Sequence, residues 1–153
     1  MLDSIEYLGN RDLLKVPMTG FLASNTIPPD MVLKCYDWAS GEHEGCVISG
    51  FSSKLEQDVL HFLLKAGCPV IMVLARQIYK VIPQELKKPL EQKRLLIIST
   101  SNAVRQSKQT AQARNKYICE QADIIYFVGV AQHSSLYSLK EEYRSKTRIN
   151  EVQ

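Results

Sequence analysis

Glycine-rich phosphate loops, clustered cysteines and long apolar runs are all missing from this sequence, and each absence removes a class of protein. Without a G-x-G-x-x-G turn, a Walker A lysine signature or an H-E-x-x-H pair, the dinucleotide fingerprint, the P-loop and the zinc-protease helix have no support. The four cysteines, Cys35, Cys46, Cys68 and Cys119, are far apart and form no C-x-x-C pair. Zinc-finger, ferredoxin and thioredoxin-type centres are thereby excluded, buried free thiols are expected, and neither a metal site nor a cofactor is predicted. No stretch approaches the ~18 apolar residues needed to span a bilayer, so no membrane role is expected. The opening Met1-Leu2-Asp3-Ser4-Ile5-Glu6 carries acids where an export leader needs a basic start, which predicts a cytoplasmic location.

What is present fits one ordinary domain. The chain has 153 residues, 45% of them hydrophobic and 23% charged, which is enough to bury a single core. Short apolar bursts alternate with amphipathic segments. Strands are predicted within Lys15–Ser24, at Cys46–Ile48, Val70–Ala75, Leu95–Ile98 and Ile124–Val130, each followed by a helix: 28–40, 54–66, 83–93, 111–121 and 134–144. The helix after Cys46–Ile48 is the best specified, because Leu55, Val59, Phe62, Leu63 and Ala66 fall on one face and Ser53-x-x-Glu56 reads as a capping box. The tail from Ser145 to Gln153 is polar and is expected to fray. Short buried strands joined through helices imply parallel pairing, so the predicted fold class is α/β, a three-layer Rossmann-like sandwich with a mainly parallel sheet.

In such sheets ligands bind beyond the carboxyl ends of the strands, where loops feed helix N-termini. Here those loops read Thr19 to Asn25, Ser49-Gly50-Phe51-Ser52-Ser53, Ala75-Arg76-Gln77, Ser99 to Asn102 and Ala131 to Ser135. Small residues and hydroxyls suit a phosphate-bearing ligand, although serines at strand ends are also ordinary helix caps. Basic charge is segregated: Lys93, Arg94, Arg105, Lys108, Arg114 and Lys116 lie between Gln92 and Cys119 without one acid. That cluster is either an anion-binding rim, to which a loop over 101–112 brings Arg105 and Lys108, or a solvated face. Catalytic groupings are sparse, and no catalytic residue is assigned. Glu56 is explained by its cap, Asp58 is the other acid near the loops, Asp123 reads as a turn residue, and His61 falls on a polar helix face. Phe51, Tyr79 and Tyr117 are candidates either for base stacking or for the core.

Three segments in this order carry a resemblance: Ile48 to Glu56, Ala113-Arg114-Asn115-Lys116-Tyr117-Ile118, and Val128 to Leu136. Together they resemble the Rossmann-like domain of the DNA-processing protein A (DprA/Smf) family, in the wider SLOG group, over about 16–140. The resemblance implies a single domain that binds a nucleotide-like ligand or single-stranded DNA in DNA processing without a catalytic step. The matching positions are Ser49, Gly50, Arg114, Asn115, Ser134 and Ser135. With the loop positions Ser52, Ser53, Arg76 and Arg105 they make up the candidate ligand site. A homodimer is left open, as are a phosphoribohydrolase-like enzyme and an interaction scaffold with a vestigial pocket. The chain departs from the family pattern at Ser53 and Lys54, at Glu56 in place of an aspartate, at Ala75-Arg76-Gln77 in place of a glycine-rich turn, and at Ser135.

Overall fold

The short apolar runs pair into one seven-stranded sheet. The computed structural model describes residues 5–149, in which the elements run β1 (Glu6–Gly9), β2 (Met18–Ala23), α1 (Pro29–Ser40), β3 (Cys46–Ser49), α2 (Lys54–Lys65), β4 (Val70–Leu74), α3 (Gln84–Glu91), β5 (Leu95–Ser99), α4 (Lys108–Gln121), β6 (Ile124–Val128), α5 (Tyr137–Glu142) and β7 (Thr147–Ile149). Their spatial order is β1-β5-β4-β3-β2-β6-β7, and every pairing is parallel except the antiparallel β1 with β5.

Helices on both faces explain why β3, β4 and β5 are buried at every residue and read as continuous apolar runs. Alternate side chains feed two cores. Phe21, Val47, Val70, Met72, Leu95 and Ile97 pack under α1, α2 and α3, whereas Leu22, Ile48, Ile71, Val73, Leu96, Ile98 and Phe127 meet Tyr117 and Ile118 of α4 and Leu139 of α5. This is the three-layer α/β sandwich that the alternation predicts. Among the described residues no helix is long and apolar enough to cross a membrane.

The predicted capping box of α2 forms: Ser53 Oγ accepts from Glu56 N at 3.3 Å, and Glu56 Oε1 accepts from Ser53 N at 3.2 Å. Beyond β1, which the alternation does not predict, three departures from expectation stand out. Helix α4 starts at Lys108 instead of Ala111, because Ser107 caps it and exchanges bonds with Thr110. Helix α5 starts at Tyr137, since Ser134 is spent on a turn in which its Oγ accepts from Leu136 N and its carbonyl accepts from Tyr137 N. The tail is not simply frayed: Thr147–Ile149 adds β7 alongside β6, while 150–153 lie outside the described residues. Lys146 Nζ locks this strap by donating to the carbonyls of Cys119 and Glu120 at 3.0 and 3.3 Å, at the negative end of the α4 dipole.

All four cysteines are buried free thiols. Burial pushes Cys35 and Cys68 up to about 11, and Cys46 and Cys119 up to about 12. Thiolate is the reactive form, so the native protein is expected to leave Ellman's reagent unreacted at pH 8 and to release all four thiols only on denaturation. Rapid reaction of any thiol in the native state would contradict this packing.

Candidate functional site

Chain direction across the sheet creates the crevice. From β2 the chain lays β3, β4 and β5 to one side, and α4 then carries it back to β6 on the other side of β2. The loop after β2 turns toward α1 on one face, while the loop after β6 turns toward α5 on the opposite face. Their divergence opens a cleft at the topological switch point, where open α/β sheets bind ligands.

The cleft has a volume of about 320 Å³ and four walls: Ala23-Ser24-Asn25 at the end of β2; Ser52, Ser53 and Glu56 at the head of α2; Ala111, Arg114 and Asn115 from α4; and Ser134-Ser135-Leu136 after β6. Two local devices hold the walls. Ser24 Oγ donates to the Gly129 carbonyl at 2.6 Å, which ties the β2 loop to the end of β6. Gly129 has φ +68°, and a side chain there would strike Ile27 and Ser24. At the end of β3, Ser49 Oγ accepts from Phe51 N at 3.1 Å and supports Phe51 at φ +48°. That strained turn aims Phe51 into the core, where it is 6% exposed.

Glu56 is 5% exposed and joins two loops. Its Oε1 accepts from Ser52 N at 2.8 Å as well as from Ser53 N, and its Oε2 accepts from Ala23 N at 2.9 Å. Across the cleft Arg114 is 4% exposed, and its Nε donates to Asn115 Oδ1 at 2.8 Å. The guanidinium lies against Gly50, where an added Cβ would stand 2.6 Å from Cζ and 2.8 Å from Nε. Glycine at position 50 is therefore what admits the arginine. Burial draws the Arg114 pKa below the usual arginine value, and the nearby Glu56 charge opposes that shift; a guanidinium remains cationic at neutral pH.

Of the residues expected at the site, Ser52, Ser53, Arg114, Asn115, Ser134 and Ser135 line the cleft. Ser49 and Gly50 lie beneath it, one holding the turn and the other making room for Arg114. Arg76 and Arg105 are not part of its lining. Arg76 Nε donates to the Gln77 carbonyl at 3.2 Å with its guanidinium over Tyr79, and Arg105 is exposed on the connection from β5 to α4. That connection reaches the cleft rim through Gln106, whose Nε2 donates to Ser52 Oγ at 3.3 Å.

Three amides of the loop after β3 are not free for a ligand. The Phe51, Ser52 and Ser53 amides are already bonded, to Ser49 Oγ and Glu56 Oε1. Asp58 is occupied as well, since its Oδ2 accepts from Tyr36 and its Oδ1 from Lys54, both at 2.7 Å. Among the stacking candidates Phe51 and Tyr117 are core residues, and Tyr79 is half-buried. Sequence reasoning had flagged the Thr19–Asn25 loop without choosing a residue from it. The sequence does not single out Ser24, Asn25, Ala111 or Leu136, and it offers Glu56 as a helix cap and as one of two acids near the loops, not as a tie to Ala23.

A Rossmann-like α/β domain with its cleft at the switch point is the class that fold and site define. Within that class the chain has a DprA-like fold. DprA from Streptococcus pneumoniae superimposes with a TM-score of 0.75 at 19% identity over 95% of this chain. DprA from Helicobacter pylori does so with 0.74 at 16% identity, over 97% of this chain and 72% of its own length. This chain spans about half (53%) of the S. pneumoniae protein. The molybdenum cofactor carrier protein of Chlamydomonas reinhardtii is more distant, with a TM-score of 0.55 at 11% identity over 87% of this chain and 74% of that one. No protein-family model and no curated protein matches the sequence.

Proposed function

We propose that this chain binds single-stranded nucleic acid, with the sugar–phosphate backbone seated in the switch-point cleft. The observation that carries the reading is Arg114, a buried guanidinium in the wall of a hydroxyl-lined cleft and held there against Gly50. Planar guanidinium groups suit phosphate oxygens, and a desolvated setting strengthens such contacts. The rim extends the cation supply, because Arg105 and Lys108 are exposed beside the Gln106–Ser52 contact. Val104, an exposed apolar side chain on the same β5–α4 connection, offers surface to bases. The H. pylori protein of the same fold is described as having a single-stranded DNA binding mode. A role in DNA processing and a cytoplasmic location go with this reading.

A lone nucleotide is the second reading, favoured by a cleft volume near the lower end of the ~300–1,000 Å³ range of small-molecule sites. The enzyme alternative loses its named carboxylates to other duties, since Glu56 binds three backbone amides and Asp58 binds Tyr36 and Lys54.

Fluorescence anisotropy with a labelled thymidine oligonucleotide tests the proposal. Binding should weaken with salt at a log–log slope of about −0.7 per neutralised phosphate, so two or three contacts give roughly −1.4 to −2.1. Unlabelled thymidine monophosphate should compete only weakly. No binding at low salt, or a salt-independent signal, would overturn the reading. Full competition by the monophosphate would favour the lone nucleotide.

A further inference from the structure

The head of α2 has the makings of a phosphate seat: a strand end, a turn of small residues and a capped helix N-terminus. The loop amides that lead into it are nevertheless spoken for. Glu56 reaches back from the first turn of α2 and takes the Ser52, Ser53 and Ala23 amides on its two carboxylate oxygens. The protein's own anion thus sits where a ligand anion would be expected.

We infer that Glu56 is a specificity-determining internal anion: it closes the head of α2 to phosphate and leaves the cleft one phosphate seat, at Arg114 and the Ser134–Ser135 loop. This rests on the proposed nucleic-acid reading and deepens it by naming the ligand chemistry. A second phosphoryl group at α2 would find the Ser52, Ser53 and Ala23 amides taken and would meet the like charge of Glu56. On the far wall the situation reverses. Arg114 feels Glu56 as an opposite charge, yet the two are not among the ion pairs within 4.0 Å of the described residues. The guanidinium is therefore aligned by Asn115 and Gly50, without direct neutralisation by Glu56. A phosphodiester or phosphomonoester, one phosphoryl group per sugar, matches one seat. A nucleoside diphosphate, with two adjacent phosphoryl groups, does not.

Glu56 variants are poor probes because the loops depend on this carboxylate, so the test uses the unaltered chain. Uniformly ¹⁵N-labelled protein is titrated with a thymidine dodecamer and followed by heteronuclear correlation spectra. The Arg114 Nε resonance and the Ser134, Ser135 and Leu136 amides should shift most, with the Ala23, Ser52 and Ser53 amides shifting far less. Largest shifts at Ser52 and Ser53 would overturn the inference while leaving nucleic-acid binding in place. An unchanged spectrum would remove the binding reading and this inference with it. In a second arm, thymidine diphosphate should displace the dodecamer no better than thymidine monophosphate. An advantage of about tenfold or more for the diphosphate would show a second phosphate seat and overturn the inference.

Discussion

Truncation of Glu56 to alanine is expected to cost about 3 kcal/mol of folding stability, read as a lower urea midpoint with an unchanged m-value. The estimate follows from the separate fates of the three amides that the carboxylate holds. Ala23 N is at the buried end of β2, so its donor is left without an acceptor, at a cost of about 1–3 kcal/mol. The Ser52 and Ser53 amides border the cleft, where water can enter, so each loses only the margin by which a charged acceptor exceeds water, about 0.5–1 kcal/mol. Glutamine should cost less, about 1–2 kcal/mol, because its oxygen can serve Ser52 and Ser53 while its amide nitrogen meets Ala23 N donor to donor. A loss below about 1 kcal/mol for alanine would show that the two loops are held by something other than this carboxylate.

The Glu56 bonds also mark the limit of what the sequence reveals. The capping box was legible because Ser53 and Glu56 are three residues apart and the pattern is local. The bond to Ala23 spans 33 residues and follows from β2 lying beside β3 in the parallel sheet, which no local spacing encodes. Strands β3, β4 and β5 were visible as apolar runs because helices cover both faces, whereas β7, Thr147-Arg148-Ile149, was hidden in a polar tail. Its order comes from Lys146 on the end of α4 and from pairing with β6, both tertiary effects. The start of α4 escaped notice for a chemical reason. Ser107 and Thr110 form a reciprocal cap, but threonine stands where the familiar box has glutamate or glutamine, and the first turn offers no apolar stripe. The cleft was half legible. Serines at strand ends and the Arg114-Asn115 pair pointed to it, but only the folded chain shows the Phe51, Ser52 and Ser53 amides bonded to Ser49 and Glu56 and Arg76 set apart.

Gly50→Ala should weaken oligonucleotide binding about as much as Arg114→Ala, although it removes no charge. Loss of the guanidinium forfeits charge-assisted hydrogen bonds worth about 1.5–3 kcal/mol, which corresponds to roughly a 10- to 150-fold weaker Kd. Alanine at position 50 acts on the same contact from beneath. Its Cβ would lie 2.6 Å from Arg114 Cζ, and the guanidinium is hemmed in, with Arg114 only 4% exposed, so the side chain must leave its place. Displacement breaks the Nε bond to Asn115 and carries the charge away from the seat it shares with Ser134 and Ser135. Because both substitutions remove one interaction, the double variant should bind no worse than either single one, in contrast to the additive losses of independent sites. Arg114→Lys separates charge from shape: it keeps a cation but lacks the planar fork, and should recover only part of the affinity. Lys116→Ala is the control, since that lysine is more than half exposed and pairs with Glu142 at 3.5 Å outside the cleft. It should alter affinity by less than about twofold. Additive losses in the double variant, with both single variants folded by circular dichroism, would mean that Gly50 does not act through Arg114 and that the anion seat is built some other way.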